Sequence, residues 1–236
     1  MTDLVNSGRA DYEFDSLRVA TNYRRALTRE FAPMIRGAVL EIGAGIGQMT
    51  ADFRTLPGIS RYLAIEPDAT FHAEFESANR GVPLLKGFTH ELRDRSDWDT
   101  ALSINVLEHI ENDDRALAEW AELLRRNHGR LGLLVPARME LMSQIDHSFG
   151  HFRRYTKPGL RRVLEAAGFE IERLHYFNLA GYFGWALMFR ILKRQRFSIH
   201  SVRRFDRWIF PPMHAFERSI LRPPFGQSLL AIARAR

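Results

Sequence analysis

Glycines at positions 43, 45 and 47, reached from the apolar run Ala38-Val39-Leu40 through the acid Glu41, constrain this chain more than any other feature. An apolar run broken by alternate glycines and continuing into Gln48-Met49 describes a buried strand, a sharp turn and the start of a helix. Glycine adopts positive φ without a Cβ penalty and lets a ligand lie against the main chain. The dinucleotide fingerprint GxGxxG does not fit, because the third glycine comes one place early and Gln48 stands in its slot. Glu41 is also a poor neighbour for a negatively charged pyrophosphate.

Two later segments extend the pattern. Tyr62-Leu63-Ala64-Ile65-Glu66 is an apolar strand tipped by an acid 19 residues after Gly47. An acid at that distance stands at the end of the adjacent strand, where a carboxylate can accept ribose hydroxyls. Asp99 to Ile110 then runs from a strand into Asn105-Val106-Leu107-Glu108-His109. In order and spacing the three segments resemble the motifs of class I S-adenosylmethionine (SAM)-dependent methyltransferases. The resemblance implies SAM as cofactor, with Glu41 near its amino-acid end and Gly43 and Gly45 against it. Asn105 and Leu107 would lie behind its methionine part, and Glu66 would hold the ribose. Many members place an Asp after the third strand to bind the adenine amino group. Here Lys86-Gly87-Phe88-Thr89-His90-Glu91 has no acid at that place. Phe88 is therefore expected to pack on the purine while the main chain of Phe88 or Thr89 hydrogen-bonds it, with Glu91 as the less favoured substitute.

The rest of the chain alternates. Leu17, Ala20, Tyr23, Leu27 and Phe31 predict a helix over 16–34. Strands are expected near 38–42, 61–66, 83–86, 100–105, 130–136, 169–176 and 228–233, with helices over 113–125 and 156–167. Asn112 or Asp113 caps the first of these helices; Thr156 caps the second, and Gly168 closes it. The fold class is α/β: a doubly wound, Rossmann-like, seven-stranded sheet with a helical insert before the last strand. By resemblance, that last strand is antiparallel. Segments 1–37, 38–180, 181–226 and 227–236 read as an N-terminal helical cap, the SAM-binding core, the insert, and the final strand of the core. Ligands on such sheets bind at the carboxyl ends of the strands.

Candidate chemistry concentrates in Asp146-His147-Ser148-Phe149-Gly150-His151-Phe152-Arg153-Arg154-Tyr155-Thr156. This stretch resembles a bacterial methyltransferase subgroup with a D-H-x-x-G-H-x-R-R-Y-T signature, and the likeness spans almost the whole chain, including the Asn22-Tyr23-Arg24-Arg25 helix. Methyl transfer from a sulfonium requires the acceptor to be positioned and deprotonated. His147 or His151 is the expected base, oriented by Asp146. Arg153 and Arg154 are expected to clamp an acidic group on the acceptor. Tyr155 is expected to line the pocket or hydrogen-bond the acceptor, and Tyr23 is assigned with Arg153 to the substrate side. O-methylation of a small-molecule hydroxyl or carboxyl is favoured, with C- or N-methylation, or a non-catalytic binding subunit, as alternatives. Glu108 and His109 are adjacent and do not share a helical face, so no metal site is expected.

The insert carries nine basic residues against Asp206 and Glu217 alone, a larger excess than the whole chain's +6. It also holds a run of apolar residues from Leu179 to Leu192, interrupted by Arg190 and too short to cross a bilayer of ~30 Å. A substrate lid, a dimer surface or a membrane-surface helix fits this pattern. No base-stacking or groove-reading motif accompanies the charge, so nucleic acid is not an expected partner. The chain contains no cysteine, and Met1 to Gly8 does not resemble a signal peptide. These features lead to the expectation of a cytoplasmic monomer or homodimer.

Overall fold

The computed structural model describes residues 15–92, 94, 97–193, 198–219 and 223–236. The first fourteen residues of the expected N-terminal cap, and Arg194, Arg196 and Arg222 of the basic insert, lie outside the described residues.

Seven strands form one sheet: β1 (Gly37–Ile42), β2 (Ile59–Ile65), β3 (Leu84–Leu85), β4 (Thr100–Ile104), β5 (Arg130–Pro136), β6 (Phe169–Phe177) and β7 (Ser228–Ala235). Their order is β3-β2-β1-β4-β5-β7-β6. β1 to β5 are parallel, and β7 runs antiparallel between β5 and β6. The doubly wound fold and the antiparallel last strand are as expected.

Both faces of the sheet are covered, which explains why the central strands are almost continuously apolar. Alternate residues point to opposite layers. Leu40, Leu133 and Leu229 pack with Leu117, Trp120, Leu160 and Leu164 of helices Asp113–Arg125 and Lys157–Ala166. Val39, Leu134 and Leu230 pack on the other side with Leu27 and Phe31 of helix Thr21–Phe31 and with Phe210 of the insert. The expected caps are present: Asn112 accepts from Arg115 N–H, and Thr156 accepts from Gly159 N–H.

The helix expected over 16–34 is two pieces, 15–19 and Thr21–Phe31, broken at Ala20 (φ −86°, ψ 61°). The start of the second piece is capped from a distance. Asp206 in the insert accepts the backbone N–H groups of Asn22 and Tyr23 at 3.0 and 2.9 Å. Among the described residues the insert forms helical stretches Leu179–Ile191 and Ile199–Ser219, lying between β6 and β7.

Candidate active site

The glycine turn closes the carboxyl end of β1. Gly43, Gly45 and Gly47 have φ of 71°, 54° and 80°, so all three need the left-handed region. The reason for glycine at 43 differs from the one expected. A Cβ there would meet Val106 Cγ2 at 2.4 Å, inside the protein, rather than project into ligand space. Gly43→Val should therefore lower the melting temperature as well as SAM affinity. Unchanged thermal unfolding with lost SAM binding would restore the simpler explanation.

Glu41 is buried beside this turn and accepts from Tyr62 Oη at 2.7 Å and Thr50 Oγ1 at 2.5 Å. Burial pushes its carboxyl up to about 7, against the pull of the two hydroxyls. Glu41 lines a small cleft with Leu17, Gly43, Gln48, Met49 and Ile104, so Leu17 of the 15–19 segment reaches the motif. At the tip of β2, Glu66 accepts the backbone N–H of Gly45 (2.7 Å) and of Asp68 (2.8 Å). Its carboxyl too is raised, first by burial. Each oxygen retains accepting capacity beyond one such bond.

Beyond β3, the Phe88 ring is 57% exposed and stacks on His90 at 5.6 Å. The Phe88 N–H expected for the purine donates instead to Glu91 Oε1 at 2.7 Å, and the Thr89 hydroxyl bonds Glu119. Asn105 follows β4 in a left-handed conformation (φ 54°), its N–H bonded to Leu134 O. The Leu107 side chain is fully buried in the core.

The loop after β5 contains a short helix, Gln144–Ser148, started by a capping box between Ser143 and Asp146. It ends before Gly150, so His147 and His151 do not share a helix. Asp146 is fully buried and organises the loop. It accepts from Arg154 Nε at 2.8 Å, from Ser143 N–H and Oγ at 2.9 and 2.8 Å, and bonds His151 Nδ1 at 3.2 Å. Burial alone would raise its pKa, but the hydrogen bonds from His151, Arg154 and Ser143 and the Arg154 charge prevail and hold it below the usual carboxylate range.

This geometry reassigns three side chains. Arg154 is buried, paired with Asp146 at 2.6 Å, bonded to Ala137 O and stacked over Trp185 at 4.6 Å, so its fork is committed inside the protein. Arg153 pairs with Asp113 at 2.5 Å and donates to Glu111 O. Tyr155 is buried and donates to Asp113 Oδ2 at 2.7 Å. Arg154 and Tyr155 thus brace the loop rather than face a reactant, and with Arg153 also engaged the expectation of an acidic acceptor loses the residues that supported it. Tyr23 packs edge-on against Phe177 and Phe210 at 5.5 Å, joining the N-terminal helix to the insert. His147 is exposed; His151 is buried.

A methyltransferase-domain profile matches residues 13–174 of the chain. The chain belongs to the methyltransferase domain family. Solved structures agree on the SAM-dependent methyltransferase fold. The methyltransferase in complex with the Trm112 activator from Haloferax volcanii aligns with a TM-score of 0.66 at 14% identity, covering 100% of this chain and 99% of that one. A SAM-dependent methyltransferase from Mesorhizobium loti gives 0.59 at 17%, covering 89% and 96%. The 1,6-didemethyltoxoflavin-N1-methyltransferase of Burkholderia thailandensis, solved with its substrate and S-adenosylhomocysteine, gives 0.54 at 19%, covering 92% and 78%. Comparison with curated proteins finds no match.

In this methyltransferase fold the loops after β4 and β5 are tied together by Phe152 N–H to Glu108 O at 2.9 Å. The tie unites residues that the sequence keeps apart. Glu108, His109 and His151 bring ligand atoms within 4.8 Å of one another. The His109 and His151 rings meet edge to face at 4.6 Å. Burial and then the neighbouring His151 lower the His109 pKa to about 4, so it is neutral at physiological pH. The signal that could have flagged this group is Glu108, an acid in an otherwise apolar strand-to-helix run. Nothing in the local pattern joins it to His151.

Proposed function

We propose that the protein binds SAM and transfers its methyl group to a small-molecule acceptor, with O-methylation favoured and His151 as proton acceptor. The observation that carries this reading is the Asp146–His151 pair in the loop after β5, tied to the loop after β4. An ionised Asp146 fixes the Nδ1–H tautomer and leaves Nε2 as the basic nitrogen. His147 is exposed near the end of the short helix, and an unoriented base contributes less. The His151 ring is buried. Acceptor binding therefore has to open the space beside it, as apo sites commonly require.

The residues fit SAM. Glu41 supplies buried negative charge for the ammonium, Glu66 a carboxylate for the ribose hydroxyls, and Phe88 an exposed ring for the purine. When bound, SAM supplies an electrophilic methyl on a good leaving group. The chain's task is to align the acceptor, exclude water and take the proton at His151.

Glu41 makes the cofactor step pH-dependent. Its folded pKa of about 7 lies above the ordinary 4.5, so its contribution to stability is whole below about 4.5 and lost as pH rises through about 7. An ammonium beside it favours the ionised form, so SAM binding at pH 6 should release a proton, and affinity should rise with pH and level off above about 7. Calorimetry at pH 6 in two buffers of different ionisation heat should show this release in the native chain and not in Glu41→Gln. Equal heats in the native protein would remove Glu41 from the ammonium site.

The Glu108–His109–His151 group supports a second reading, in which a divalent ion held there activates the acceptor. Turnover that falls after chelation and returns with a divalent salt would favour it over the histidine base.

A further inference from the structure

We propose that the outward face of the insert docks on an anionic lipid bilayer, lying in its interface. Phe183, Leu187 and Ile191 recur every four residues along the first helical stretch, and all are exposed. On the second stretch Trp208, Ile209 and Phe216 are exposed, opposite the buried Asp206, Phe210 and Glu217. Exposed apolar side chains on this scale mark an interaction surface rather than ordinary scatter.

Charge selects the occupant. The only acids of the insert, Asp206 and Glu217, are buried and bonded inward, Asp206 to the Asn22 and Tyr23 amides and Glu217 to the Leu179 N–H. Arg190, Lys193, Arg203, Arg204, Arg207 and Arg218 are exposed. The outer face therefore presents aromatic and aliphatic side chains among cations, with no acid of its own to balance them. Two copies placed face to face would oppose like charges. An anionic bilayer instead offers phosphates to the cations and acyl chains to the rings. No helix among the described residues is long and apolar enough to cross a membrane, so the contact is peripheral. The same helices support the candidate site: Trp185 Nε1 donates to Leu141 O at 3.1 Å and Arg190 to Met142 O at 3.3 Å. This inference stands apart from the methyl acceptor's identity.

Trp208 is a built-in reporter. It is 68% exposed, whereas Trp98, Trp120 and Trp185, the other three tryptophans, are buried. The full chain should sediment with phosphatidylglycerol-containing vesicles and not with pure phosphatidylcholine, less so at high salt. Its tryptophan emission should shift to the blue on binding. Trp208→Phe should keep binding and lose the shift, and the exposed-face variant Leu187→Ser/Ile191→Ser/Phe216→Ser should bind at least tenfold more weakly with unaltered thermal unfolding. Failure to bind phosphatidylglycerol vesicles at low salt would overturn the proposal. So would binding that leaves Trp208 emission unmoved and is indifferent to the triple change. Dimerisation without lipid that buries Trp208, seen by ultracentrifugation, would assign the face to a second copy.

Discussion

Arg154→Met should destabilise the fold by roughly 3–5 kcal/mol, because it strands a buried carboxylate without its partner. Asp146 and Arg154 are both buried, and the guanidinium spends its donors on Asp146 and Ala137 O. For a chain of this size the melting temperature should fall by about 10 °C. Adding Asp146→Asn removes the uncompensated charge, so the double variant should recover a large part of the loss. It should not recover turnover, because His151 then lacks the carboxylate that fixes its tautomer. A variant that melts like the native chain while its acceptor KM rises tenfold would return Arg154 to the role of substrate clamp.

His151→Ala should reduce kcat by ~10²–10⁴, the usual range for a positioned proton acceptor, and leave SAM affinity within about twofold. His147→Ala should change kcat by less than about threefold, since the ring is exposed on the far end of a short helix. The reverse ranking in steady-state kinetics, with His147 dominant, would move the base to the surface of the loop. His109 provides an internal control: with a pKa of about 4, its ring resonances should stay flat from pH 8 to 5, where ordinary histidines titrate.

The parts of this protein that sequence made legible are those whose cause is local. Glycines 43, 45 and 47 have positive φ because a strand must turn into a helix within a few residues, and this requirement is written in adjacent positions. Strand tips such as Glu66 follow from period and spacing. The direction in which Arg153, Arg154 and Tyr155 point is not local. Each is a donor, and whether it meets a reactant or an internal carboxylate depends on Asp113 and Asp146, which reach it only through folding. Leu107 illustrates the same limit: the motif places the residue near the cofactor, but only packing decides that its side chain turns into the core. The break at Ala20 escaped the helical period because its cause lies in part at Asp206, far along the chain, which caps the second piece.

The placement of β7 has a consequence for how the molecule is made. Ser228–Ala235 is the last strand in sequence, yet it lies between β5 and β6 and supplies the sheet contacts of β6. During synthesis, β1 to β5 can assemble as they emerge, whereas Phe169–Phe177 must wait, its edge unpaired, through the whole of the insert. Contacts across such sequence separations form slowly and leave strand edges open to mispairing. A nascent chain stalled before residue 228 would thus expose two strand edges at once, β5 and β6.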